Sequence, residues 1–313
     1  MAPKTLNSCS PRRIGSAFLV LAALALGCAS RAAAATPAAP SLSAVAAPRS
    51  STPLELMSSV NWSGWVDTAP SSFTDVNATW IVPEPQCALS PSPSYAAFWV
   101  GLGGAGWESN ALEQTGVDAD CYDGVPNYYA WYETVPEPIV FVPLGVHAGD
   151  VISAHVNVVG TTAVYTLDNL TTGEDYSTQV SAPTPDVTSA EWIAEAPAHC
   201  PAGVTDFSTC TIQPLADFGQ VDFSSATATS AGVTAPISKP DWDPEANEII
   251  TGSWENAIPT TLTAGGTAFS VRWRSPAPTP RVSPTPQAKP QPKPHPQARP
   301  KRVAAPKHRK HKR

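Results

Sequence analysis

The stretch Val151-Ile-Ser-Ala-His-Val-Asn-Val158 decides the fold class. Its apolar residues Ile152, Ala154, Val156 and Val158 alternate with Ser153, His155 and Asn157, the period of two expected of a strand with one buried face. Outward from it, Ala96-Ala-Phe-Trp-Val100, Pro138-Ile-Val-Phe-Val-Pro143 and Ala268-Phe-Ser-Val-Arg-Trp273 are short runs of the same β-forming residue types. Turn signals separate them at Ala148-Gly-Asp150, Thr172-Gly-Glu174 and Gly265-Gly266. No stretch sustains the i, i+3, i+4, i+7 pattern of an amphipathic helix. The expected fold is all-β, an antiparallel two-sheet β-sandwich.

The first 35 residues have the layout of a secretory signal: Lys4, Arg12 and Arg13, then the apolar run Ala17 to Cys28, then Ala33-Ala34-Ala35. Cleavage after Ala35 is favoured over a lipobox reading of Ala25-Leu26-Gly27-Cys28, which would make Cys28 a lipidated anchor. The apolar run is short for a membrane span. Residues 36–55, rich in Ala, Pro and Ser, read as a linker or a short pro-segment. Residues 56–274 form one globular domain, and 275–313 a disordered tail that interleaves Pro with Lys and Arg. The expected localisation is secreted and extracellular.

The net charge of −7 conceals an asymmetry. Residues 51–274 carry all 26 acids against only Lys239, Arg272 and Arg274, a formal charge of −23, whereas the tail has 11 bases and no acid. Such a domain repels itself while its carboxylates are ionised, so it is expected to prefer acid. The tail can be drawn to anionic cell-envelope polymers, to nucleic acid or to the acidic domain itself, or it can be a solvated spacer. No dedicated nucleic-acid site is discernible, and a monomer is expected.

Removal of the signal leaves Cys87, Cys121, Cys200 and Cys210. Four cysteines allow three pairings, and proximity along the chain favours Cys87 with Cys121 and Cys200 with Cys210. There is no CxxC, and His199 is the one nearby imidazole, so neither zinc nor any other metal or cofactor is expected. Asn61, Asn77 and Asn169 lie in sequons that would accept glycan in a eukaryotic secretory pathway.

Several hydrolytic constellations are missing: HExxH, the GxSxG elbow, and the Asp-Thr-Gly or Asp-Ser-Gly pair of a pepsin-type dyad. Only His147, His155 and His199 lie in the domain, and His155 reads as structural. What remains is a set of motifs in order: Asn61-Trp-Ser-Gly64, Ala78-Thr-Trp-Ile-Val-Pro83, Phe98-Trp-Val-Gly101, Leu112-Glu-Gln-Thr-Gly-Val-Asp118, Ala130-Trp-Tyr-Glu133, Asn169-Leu-Thr-Thr-Gly173, Ala190-Glu-Trp-Ile-Ala-Glu195 and Leu215-Ala-Asp-Phe-Gly219. Each is weak alone. Together they resemble the glutamic peptidase (eqolisin) family across essentially the whole domain.

The resemblance implies a concanavalin- or lectin-like sandwich with its catalytic pair on a concave face. It also implies an acid endopeptidase, insensitive to pepstatin, that acts on polypeptides. The family's catalytic glutamine matches Gln114 and its catalytic glutamate matches Glu195, with Glu191 the tempting alternative. Trp99, Trp131 and Glu133 match positions that contact substrate or organise the site. The chemistry is sensible by itself. A carboxylate near its ordinary pKa can take a proton from water as it attacks a peptide carbonyl and return it to the leaving nitrogen. An amide can donate through its NH2 to the developing oxyanion while its oxygen holds the water. Strand alternation puts Leu112, Gln114, Gly116 and Asp118 on one face, which makes Asp118 a candidate acceptor beside Gln114. Two departures bear on site tuning: Gly101-Leu-Gly-Gly104 and Tyr129 stand where relatives often have an acid. The rival readings are a carbohydrate-binding sandwich that uses the nine tryptophans between Trp62 and Trp254, and an envelope-bound spacer held by the tail.

Overall fold

The computed structural model describes residues 54–90, 92–105, 109–200, 209–251 and 254–274. The expected signal peptide, residues 36–53 of the linker and the basic tail lie outside the described residues, as does Trp107. The first strands are β1 (Leu56–Ser59), β2 (Trp62–Thr68), β3 (Phe73–Ile81), β4 (Ala97–Gly103), β5 (Leu112–Tyr122) and β6 (Val125–Val135). Then come β7 (Val140–Val142), β8 (Val151–Val159), β9 (Thr162–Asn169), β10 (Glu174–Ser181), β11 (Ser189–Glu195) and β12 (Ala198–His199). The last are β13 (Thr211–Ile212), β14 (Gln220–Ser230), β15 (Val233–Pro236), β16 (Asp243–Thr251), β17 (Trp254–Pro259) and β18 (Phe269–Trp273). No α-helix occurs among the described residues.

One hydrogen-bonded path runs β10-β9-β8-β3-β14-β18-β17-β16-β2-β11-β4-β5-β6-β7. The β3, β8 and β9 segment lies against β4, β5 and β11, so the path folds into the two layers of a sandwich. All neighbours on the path are antiparallel; β1 joins β16 in parallel. In β8 the alternation is realised as expected: Ile152, Ala154, Val156 and Val158 are buried. His155 faces outward and is held by Asp75 at 2.5 Å, a structural imidazole.

The core between the layers contains Trp80 and Phe269, both packed on Phe223, with Phe98 set edge-on to Phe218. Each such ring contributes roughly 1.5–3 kcal/mol on burial. β4 and β11 differ from β8 in being buried on both faces, β11 apart from its terminal Glu195. Phe98, Val100, Trp192 and Ala194 point into the main core, while Trp99, Ala97 and Ile193 build a second apolar cluster with Val66, Leu112 and Trp131 on the opposite face.

Both expected disulfides form, Cys87–Cys121 across the end of β5 and Cys200–Cys210. Of the three sequon asparagines, Asn61 and Asn169 are buried in the folded chain and Asn77 is half-buried. Asn169 is fully buried and donates to the Gly145 carbonyl at 2.9 Å and to Asp150 at 2.8 Å. Asn77 sits mid-strand and donates to Thr227 at 2.9 Å.

β2 and β11 approach so closely that a Cβ at Gly64, whose φ is +150°, would collide with the Trp192 carbonyl oxygen. Gly64→Ala should therefore cost more than about 2 kcal/mol in urea unfolding. A change within about 0.5 kcal/mol would show that the two strands can part freely.

Candidate active site

The outer face of β2, β11, β4, β5 and β6 presents the chemistry. Register places Glu195 beside Ala97 and Trp62, Ala97 beside Asp118, and Gln114 between Gly101 and Glu133. Alternation then sets Trp62, Trp99, Gln114, Asp118, Trp131, Glu133 and Glu195 on one face.

Glu195, the last residue of β11, is half-buried, and both its oxygens are held. Trp99 Nε1 donates to Oε2 at 2.8 Å and Asn61 Nδ2 donates to Oε1 at 2.8 Å. Trp62 stands edge-on to Trp99 with ring centroids 5.0 Å apart. Burial pushes the Glu195 carboxyl up to about 8, with Glu133 adding to the rise and the bonds from Trp99 and Asn61 opposing it. This differs from the sequence expectation of a carboxylate near its ordinary value. The cause is a dry, acid-rich surrounding that strand spacing does not reveal.

The indole of Trp99 reaches from Glu195 toward Gln114. A Cβ at Gly101 would lie 2.9 Å from its Cζ3 and 3.3 Å from the Cβ of Gln114. A Cβ at Gly116 would strike the Phe98 carbonyl and the Trp99 backbone. Both glycines give that ring its bed.

Gln114, 6 % exposed, donates from Nε2 to Glu133 Oε2 at 2.7 Å. Its Oε1 is buried and accepts no hydrogen bond from the protein. The second N–H of the amide remains for an incoming group. Asp118 does not serve Gln114; it accepts from Trp131 Nε1 at 2.7 Å. Glu133 takes the place expected of Asp118, because it lies directly across the β5–β6 ladder whereas Asp118 is four pairs further along. Burial raises Glu133, against the bond from Gln114. Asp118 is raised well above the ordinary carboxylate range by burial and by the adjacent Asp120. Asp120 is pushed to about 7 by burial, opposed by the backbone N–H of Ala96.

Glu191 shares the alternation of Glu195 but is fully buried beside Gly101, with neither oxygen hydrogen-bonded. Asp67 and Glu113 are also buried with unpartnered carboxyl oxygens, and burial pushes each up to about 8. Asn61 is the residue to which sequence reasoning assigned no role. Its place in the Asn61-Trp-Ser-Gly64 motif was visible, but the β2–β11 register that carries it to Glu195 was not. Among the described residues, no group of three or more His, Cys, Asp or Glu side chains is arranged to hold a metal. Trp65, Trp80, Trp99, Trp131, Trp192 and Trp242, six of the nine tryptophans between Trp62 and Trp254, are buried and offer no exposed stacking surface.

Comparison with known proteins agrees with this geometry. Residues 60–273 match the model of the Peptidase A4 family. Aspergillopepsin-2 of Aspergillus niger is 33 % identical over 199 residues, covering 56 % of this chain and 66 % of that protein, so the chain spans just under two thirds of its relative's length. Scytalido-glutamic peptidase, solved with a transition state analog inhibitor, superposes with a TM-score of 0.59 at 28 % identity over 69 % of this chain and 98 % of that one. SCP-B, a member of the eqolisin family of peptidases solved with the tripeptide Ala-Ile-His, gives 0.56 at 27 % identity over the same shares. With the family match spanning 214 of 313 residues and the solved peptidases sharing its sandwich, the chain belongs to the Peptidase A4 family of peptide hydrolases.

Proposed function

We propose that the protein is a secreted, pepstatin-insensitive acid endopeptidase in which Glu195 and Gln114 act on a water and a peptide carbonyl held over the concave sheet. The observation that carries this reading is the clamp on Glu195, whose two oxygens are fixed by Trp99 and Asn61 on the face that also bears Gln114. A solvent-facing strand glutamate would have no such partners.

Burial favours the protonated form of Glu195. This suits it to protonate the leaving nitrogen. For the first half of the reaction it must act as a base. A water bound against the carboxylate donates to it and favours the ionised form, which draws the group back toward its ordinary value when the cleft is occupied. The free N–H of Gln114 donates to the oxyanion as it develops, and the Glu133 bond on the other hydrogen keeps the amide aimed. The carbonyl is attacked by water directly, so no covalent intermediate forms.

Acid also suits the fold. Asp67, Glu113 and Glu195 at about 8 and Asp120 at about 7 bind their protons more tightly in the folded chain than in the unfolded one, where carboxylates titrate near 4. Their contribution is fully present below about pH 4 and is lost as pH rises through 7 to 8.

Glu195→Gln should lower kcat on an acid-denatured protein at least about a thousandfold, and Gln114→Ala about a hundred- to a thousandfold, with pepstatin present and melting temperature little changed. Wild-type turnover in Glu195→Gln would sink the assignment. Trp99→Phe keeps the ring but removes the donor, so kcat should fall about tenfold and the pH-rate limb of Glu195 should move upward, as read from a pH 2–9 profile. Melting temperature should fall by more than about 10 °C between pH 4 and pH 8, and Asp67→Asn should flatten that fall. A melting temperature constant over this range would contradict the buried-acid account.

A further inference from the structure

Beyond Asp118 and Trp131 the site-bearing face continues onto the edge of the sheet, where it ends in an uncovered aromatic pair. Tyr129 pairs with Asp118 across β5–β6, and Phe141 of β7 pairs with Trp131. The two rings are diagonal neighbours, their centroids 5.5 Å apart at an interplanar angle of 59°. Phe141 is 58 % exposed and Tyr129 39 % exposed, whereas Trp131 beside them is buried. β7 lies at the end of the strand path, so no further strand covers Phe141 on that side. Two large rings tilted together in water, beside Trp131 on the face that also bears Gln114 and Glu195, form a surface on which a third ring can pack edge-to-face.

We propose that Tyr129 and Phe141 form a specificity subsite for an aromatic side chain of the substrate peptide, on the Gln114 side of the cleaved bond. This rests on the peptidase reading above. The occupant is the peptide because the pair is contiguous with the site through Trp131, and it is aromatic because the exposed surface consists of ring faces and edges without a charged partner at the contact.

The test uses octapeptides in which each position around the cleaved bond is in turn Phe or Ala. At one position the wild-type chain should prefer Phe over Ala by about 10- to 100-fold in kcat/KM. Phe141→Ala and Tyr129→Ala should each reduce that ratio at least about fivefold while leaving kcat/KM for the Ala peptide within about twofold. Both side chains are substantially exposed, so the variants should fold; melting temperatures check this. An unchanged ratio, or an equal fall for every peptide, overturns the subsite. If the wild type cleaves no peptide, the peptidase reading fails, and calorimetric binding of acetyl-Phe-Ala-Ala amide against acetyl-Ala-Ala-Ala amide decides the subsite. A preference for Phe that Phe141→Ala removes supports it, and equal Kd values overturn it. A dimer in sedimentation that Phe141→Ala dissolves, with selectivity unchanged, also overturns it, since a second copy would then cover the pair.

Discussion

The hydrogen bond from the Trp99 indole to Glu195 is the constraint around which the concave face is arranged. It requires a strand buried on both faces, because Phe98 and Val100 anchor β4 in the main core while Trp99 turns the other way. It also requires Gly116 and Gly101 beside the ring, since a Cβ at either meets the Trp99 residue or the adjacent backbone. A hydrogen bond of this kind is worth roughly 0.5–1.5 kcal/mol in stability, and its larger consequence is positional. It leaves the carboxyl one orientation, which Asn61 completes from the bend just before β2.

The same face concentrates carboxyl groups in surroundings that disfavour their ionisation. In addition to burial, Glu133 raises Glu195, and Asp120, Glu195 and Glu133 raise Asp118. Behind them Glu191, Glu113 and Asp67 are buried without full hydrogen bonding. Leaving such groups charged would be costly, so burial favours their protonated forms and adds a local contribution to the acid preference expected from the formal charge of −23.

Much of the architecture was legible because it is written in short-range pattern. The alternation in Val151–Val158 and the Gly-containing turns around it appear in the fold at those positions. The expected disulfides form between cysteines near one another in the chain. The face shared by Gln114 and Asp118 also followed from period two. The partnership assigned to them did not, since an acceptor for Gln114 depends on which residue of β6 lies opposite. The sequons were visible as triplets, but their burial depended on packing.

By itself, the sequence determined the strand periodicity, the acidic domain with its basic tail, and an ordered set of motifs whose chemistry is that of an amide and a carboxylate. These are properties of residue type and spacing along one chain. The tertiary structure alone decided that Asn61 and Trp99 hold Glu195, that Glu133 holds Gln114, and that burial raises the pKa of the carboxyl groups on this face. Each of those outcomes depends on strand register between segments up to 134 residues apart and on the exclusion of water, neither of which is encoded at any single position.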